Sequence, residues 1–332
     1  EILMQEFNQK KIILDKDVAF NVLTSKKIGV IGYGNQGRAQ SLNLKDSGME
    51  VVIGLRQSSA SKQKVLDDGL FFDSIENVVS SSDVLSVLVP DQEIPNLWMK
   101  TILPLIKKNQ TILFSHGYCI HYKLIKVPDF VNVIMVAPSG GGNVVRDKYK
   151  QDSGVPNLLA IHQDFDGMSD TLLKEYSKAI GGTRVCAFYS TFSEETETDL
   201  FGEQSILTGG LPWLINESFK VLLEEGYDPI VAWFVCYYEL KTIVDLFHDK
   251  GFDFLFDSIS GTARYGGLVK GKTLIDATFK SNLKNMLMDI KNGDFHNEIT
   301  NAEKLNLNQE SFKELEYYSS KILNLLNKDA DT

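Results

Sequence analysis

The sequence predicts an alternating α/β domain followed by an all-helical one, and three observations carry that reading. Short apolar runs alternate with helically spaced stretches through the first half. A glycine-rich turn joins the first such run to the first helix, and beyond Ser193 strand-like runs almost vanish. Strands alternating with helices imply βαβ units and a parallel sheet, whose carboxyl edge is where ligands bind.

Lys27–Ile31 reads as a buried strand, Asn35–Ser47 as a helix, Glu50–Leu55 as a second strand and Ser59–Asp68 as a second helix. Val84–Val89, Thr111–Phe114 and Val133–Val136 continue the series, each ending at turn chemistry such as Pro90-Asp91, Ser115-His116-Gly117 or Pro138-Ser139-Gly140. The pattern changes near Phe188–Phe192. Glu194–Leu207, Trp213–Glu225, Pro229–His248, Asn282–Ile290 and Gln309–Leu325 all carry helical apolar spacing. The expected domains are therefore residues 1–190 and 191–332.

Composition narrows the function classes. Of 332 residues, 34 are Lys or Arg and 44 are Asp or Glu, a formal charge of −10 that speaks against a general nucleic-acid binder or an anionic-membrane binder. The N-terminal stretch mixes charge with short apolar pieces, so no secretory leader is expected. The longest apolar run, Ile230–Tyr238, falls short of the ~20 residues of a membrane span. Cys119, Cys186 and Cys236 are far apart and odd in number, which suits a reducing cytoplasm rather than a disulfide framework.

The turn after the first strand is Gly32-Tyr33-Gly34-Asn35-Gln36-Gly37. Strand before and helix after make it a dinucleotide-binding, Rossmann-type fingerprint: a tight turn, a close approach to pyrophosphate, and amides at a helix start. The second strand lacks the acid that an NAD ribose takes. It runs into Arg56-Gln57-Ser58-Ser59-Ala60-Ser61, a guanidinium with hydroxyls that suits a 2′-phosphate and favours NADPH over NADH. Ser59 is also a plausible helix cap.

Past the boundary, Asp199 and Glu203 are four residues apart, so on a helix they share a face. Two readings stand: a hard divalent cation offsets their repulsion, or they are a solvated acidic helix start. Glu239 interrupts an apolar helix, where a carboxylate needs a metal or a partner such as Lys241. His116 and His121 follow a strand end, either as a polarising group or as core-edge histidines.

Together these stretches resemble the ketol-acid reductoisomerases, in the short form with a single all-α second domain. The matching pieces are Ile31–Gly37, Phe114–Tyr118 with His121, Val133–Pro138, Thr183-Arg184, Glu194–Gln204, Glu239–Leu246 and Ser258–Ala263, within a likeness from Lys10 to Phe295. The resemblance implies a knotted helical domain. It also implies Mg²⁺-dependent alkyl migration followed by NADPH reduction, converting 2-acetohydroxy acids to 2,3-dihydroxy acids in branched-chain amino-acid biosynthesis. It assigns metal binding to Asp199, Glu203 and Glu239, with Glu239 from a second subunit so that a homodimer is the smallest complete site. It places Ser260 on the substrate carboxylate and His116 near nicotinamide and substrate. Arg56, Ser59 and Ser61 match the 2′-phosphate loop, and Gly142 joins the cofactor contacts.

The chain departs from the family at several of these positions. Ser139 stands where the family has Lys, and Val235 where it has a second metal-binding Glu. Gly261 and Arg264 replace Asn and Glu, and Asn35 and Arg38 replace Ser and His. Losing a carboxylate and an ammonium harms the two-metal migration step more than hydride delivery, so the first ion is expected to persist and the second to weaken. Compensation by Arg264 or by water is the other reading. Three functions follow: a working reductoisomerase, an NADPH-dependent reductase of another 2-keto acid or imine, and a non-catalytic binding protein.

Overall fold

The computed structural model describes residues 12–302 and 310–328. The N-terminal stretch on which no secretory leader is expected, the start of the likeness at Lys10 and Gln309 of the last expected helix fall wholly or partly outside them. Contacts divide the chain into two compact units, Glu1–Thr196 and Glu197–Thr332.

The first unit is built on a nine-stranded sheet. Its strands are β1 (Ile12–Ile13), β2 (Lys27–Ile31), β3 (Glu50–Leu55), β4 (Phe71–Ser74), β5 (Val84–Val87), β6 (Thr111–Phe114), β7 (Asn132–Pro138), β8 (Asn157–Gln163) and β9 (Ala187–Tyr189). Their order across the sheet is β1-β9-β8-β7-β6-β5-β2-β3-β4. The longer helices are α1 (Asn35–Asp46), α2 (Lys62–Asp67), α3 (Ile75–Ser81), α4 (Gly142–Lys150), α5 (Ser169–Ala179) and α6 (Phe192–Gly202), the last running into the second unit.

From β4 to β7 the sheet is parallel, as the apolar runs predict. Beyond β7 the sheet is extended by strands that the sequence reading did not identify, with β8 antiparallel to β7 and β1 antiparallel to β9. The added strands are short or only partly buried, so they lack the continuous apolar run that marks a central parallel strand. The chain leaves β2 toward β3 and β4, then returns to β5 on the other side of β2. That reversal opens a crevice at the carboxyl ends of β2 and β5, the usual place for a ligand in such a sheet.

The core of this unit is dense. Ile28, Val30, Ile53, Leu113 and Ile134 on the strands and Leu173 and Tyr176 on α5 are all buried. Glu175, also buried, is satisfied by the backbone N–H groups of Asn21, Val22 and Leu23 at 2.7–3.2 Å, which anchors the approach to β2.

The second unit is helical: α7 (Gly210–Glu224), α8 (Pro229–Trp233), α9 (Glu239–Ser258), α10 (Gly261–Leu274), α11 (Ala277–Asn292), α12 (Asp294–Ala302) and α13 (Lys313–Lys328). Phe219, Trp233, Leu315 and Ile322 form a small core. The Trp233 indole N–H donates to Ser319 Oγ at 2.8 Å. Asp228 caps α8 by accepting from the amides of Ile230 and Val231, and Pro229 occupies the first turn, where no N–H is needed. The helix expected over Pro229–His248 is present with one irregularity, a π-turn (Phe234–Tyr238) that joins α8 to α9, and beyond it Gly251, at φ 84°, breaks α9. Apolar spacing does not register one inserted residue, which is what a π-turn adds. No helix among the described residues is long and apolar enough to cross a membrane.

Candidate active site

The glycine loop lies at the crevice. Gly32 has φ 101°, a left-handed conformation that strains a side chain, and a Cβ there would meet the Leu88 carbonyl oxygen at 2.6 Å. A Cβ on Gly37 would lie 2.3 Å from the Gly32 oxygen, so α1 packs against the turn only because that position is bare. Gly34 is the N-cap of α1 and has open space where a Cβ would point. The exposed Asn35 and half-buried Gln36 follow in the first turn, whose amides lack partners within the helix. A bare N-cap with open space before a helix start fits a pyrophosphate. Gly142, at the start of α4, faces the Asn35 carbonyl, which a Cβ would approach to 2.1 Å, so it brings α4 close to the loop.

Side chains lock this loop in place. Tyr33 donates its hydroxyl to Asp68 at 2.8 Å, and Arg38 forks onto both Asp68 oxygens at 2.7 Å. The Arg38 hydrogen bond holds the Asp68 carboxyl below the usual carboxylate range. Burial, with Asp68 alongside, pushes the Tyr33 hydroxyl well above its ordinary value. Beneath the loop runs a polar chain that sequence reading missed. Gln36 donates to the Gly140 carbonyl at 2.8 Å, Gln40 donates to Gln36 Oε1 and Ser115 Oγ, and Tyr176 donates to Gln40. It ties the loop to the end of β6.

His116 follows Ser115 there. Its Nδ1 is hydrogen-bonded to Glu195 Oε1 at 2.8 Å, and the Gly117 amide donates to Glu195 Oε2 at 2.7 Å. Glu195 is buried, at 4% exposure. The only sequence signal for it is its place one helical turn before Asp199 in the acidic motif. His121 instead packs edge-on against Tyr122. Burial raises the nearby Cys119 thiol to about 12, so it is no thiolate at neutral pH.

At the end of β3, Arg56 lines a cavity of about 610 Å³ together with Gln57, Lys62, Ser74, Asn96 and Lys100. That volume suits a nucleotide-sized ligand, and the cations suit phosphate. Ser59 and Ser61 belong to the adjoining turn, where the Ser61 amide donates to Ser59 Oγ at 3.2 Å. The helix start expected at Ser59 is corrected to Lys62, because Ser59 Oγ serves this turn instead.

In the second unit, α6 gives way to a π-turn (Glu203–Leu207), so Asp199 and Glu203 flank a change of helical pitch. Both are exposed carboxylates four residues apart, a donor type that suits a hard divalent cation. Glu239 opens α9 directly after the second π-turn and is exposed, which corrects the expectation that it lies among apolar neighbours; Lys241 pairs with Asp245. Val235 is 56% exposed. Ser260 caps α10, accepting from the Ala263 amide at 3.2 Å, and Arg264 pairs with Asp257 at 3.0 Å.

A doubly wound sheet with a bare glycine turn at its switch point defines a dinucleotide-binding α/β domain. The family model for the acetohydroxy acid isomeroreductase NADPH-binding domain matches residues 22–186, and that for the ketol-acid reductoisomerase C-terminal domain matches residues 192–324. A ketol-acid reductoisomerase (NADP(+)) of Methanocaldococcus jannaschii is 44% identical over 288 residues, 87% of each chain. That of Methanosphaera stadtmanae is 44% identical over 289 residues, 87% of this chain and 88% of the relative. The solved structure of an NADH-preferring ketol-acid reductoisomerase from an uncultured archaeon matches with a TM-score of 0.90 at 36% identity, over 95% of this chain and 98% of that one. The chain belongs to the ketol-acid reductoisomerase family.

Proposed function

We propose that this chain is an NADPH- and Mg²⁺-dependent ketol-acid reductoisomerase, converting 2-acetohydroxy acids to 2,3-dihydroxy acids for branched-chain amino-acid synthesis in the cytoplasm. The carrying observation is Glu195, which comes from the acidic helix and holds His116 at the carboxyl edge of the dinucleotide-type sheet. In this reading residues 1–190 bind NADP(H) and residues 191–332 form the helical domain. Gly32, Tyr33, Gly34, Asn35, Gln36, Gly37 and Gly142 shape the pyrophosphate site, and Arg56, Ser59 and Ser61 hold the 2′-phosphate.

Asp199 and Glu203 would hold Mg²⁺, with Glu239 supplied by a second copy of the chain in a homodimer. The ion, when bound, polarises the substrate oxygens for migration and reduction. His116, oriented by Glu195, faces the nicotinamide and substrate and handles the proton of the reduced carbonyl. Ser260 donates its hydroxyl to the substrate carboxylate.

Val235 and Ser139 favour a second reading. With no carboxylate at one position and no ammonium at the other, reduction outlasts isomerisation, and the chain acts as a reductase of a 2-keto acid or imine. NADPH oxidation with Mg²⁺ separates the two. Turnover of 2-acetolactate and of 3-hydroxy-3-methyl-2-ketobutyrate supports the reductoisomerase. Turnover of the keto acid alone supports the reductase. Tight NADPH binding with neither turned over points to another substrate, and no NADPH binding defeats both readings.

A further inference from the structure

Arg56, the guanidinium assigned to the 2′-phosphate, is ion-paired with Glu93. Glu93 lies in the turn Asp91–Glu93 after β5, on the opposite side of the sheet's switch point from β3. Both side chains are largely exposed, at 57% and 44%, so the pair opens at little expense.

We propose that Glu93 sets the balance between NADPH and NADH by competing with the 2′-phosphate for Arg56, an inference that rests on reading this sheet edge as the NADP(H) site. A carboxylate and a phosphate accept from the same guanidinium N–H groups. To reach Arg56, the 2′-phosphate displaces Glu93 and then lies beside its negative charge. NADH carries a 2′-hydroxyl there instead. That hydroxyl is a donor, and a carboxylate accepts from it, as the acid at the end of the second strand does in an NAD site. Glu93 thus presents, from a different element, the acid that β3 lacks. Lys62 and Lys100 line the same cavity and attract the phosphate whichever partner Arg56 holds, so NADPH binding is weakened rather than abolished.

Fluorescence titration of the full chain with NADPH and with NADH, without substrate, tests this. Glu93→Gln should tighten NADPH about three- to tenfold and weaken NADH about two- to fivefold, with the NADPH gain shrinking at about 0.5 M salt. Arg56→Gln should weaken NADPH about tenfold, and adding Glu93→Gln in that background should give a smaller gain than in the parent. An unchanged NADPH-to-NADH ratio in Glu93→Gln, or a move toward NADH, overturns the proposal while leaving the NADP site intact if Arg56→Gln still weakens NADPH. No effect of Arg56→Gln on NADPH overturns both. Thermal melting of each variant confirms that the fold is kept.

Discussion

The two units bury their apolar residues very differently. In the first, the central strands are buried almost throughout: β5 and β6 expose no residue and β7 exposes only its last in part. In the second, α10 buries no residue, while Leu268, Val269 and Leu274 on it are 44%, 42% and 60% exposed. A parallel sheet covered on both faces satisfies its own apolar surface. The homodimer proposed above would cover such surface. The α/β unit thus buries its own apolar surface, whereas the helical unit leaves part of its apolar surface exposed.

Five variants would break or sharpen that contrast. Asp199→Asn should have the largest effect: turnover is expected to fall by about a thousandfold through loss of Mg²⁺. NADPH affinity should stay within twofold, as titration and steady-state rates would show. Loss of NADPH binding would mean that the units do not divide the work in this way. Next comes Leu268→Asp with Val269→Asp, expected to shift the chain toward monomer in light scattering and to cut turnover at least tenfold, with NADPH binding retained. A dimer that persisted would place the interface elsewhere.

Glu195→Gln should lower kcat about ten- to a hundredfold by loosening His116, with little change in NADPH affinity. The pH–rate profile is the useful readout, because a purely structural role would leave its shape unchanged.

Asp68→Asn probes the α/β unit alone. It should cost about 1–2 kcal/mol in denaturant unfolding, since the Arg38 fork and the Tyr33 hydrogen bond are both weakened. The folded-state pKa of Asp68 lies below its usual value near ~3.9, so its stabilisation is complete above that pH and fades as pH falls through the folded pKa. The parent should therefore lose stability below about pH 4 more steeply than Asp68→Asn. Val235→Glu should have the smallest effect, tightening Mg²⁺ by about three- to tenfold in calorimetry. No change would show that the second ion's position has been rebuilt.

The central strands and the glycine loop were legible because each leaves a local mark: a continuous apolar run, or three glycines between a strand and a helix. Strands β1, β4, β8 and β9 leave no such mark, being short or partly exposed, and their pairing is made by distant segments. The π-turns that precede Glu239 and follow Gly202 were invisible for a related reason, since they arise from how a helix closes rather than from composition.

The candidate site divides in the same way. Gly32, Gly37, Arg56, Asp199 and Glu203 stood out by residue type and spacing. Glu195 did not, because its role depends on reaching His116, which lies 79 positions away in the chain. Glu93 likewise gains meaning only beside Arg56.

By itself, the sequence determined the family, the α/β-then-helical order and the carboxylates that suit a divalent cation, since periodicity and motif chemistry are local properties. The tertiary structure alone decided which partners those groups meet. It set Glu195 against His116, Asp68 between Tyr33 and Arg38, and Glu93 on the Arg56 guanidinium, because such contacts join residues far apart in the chain.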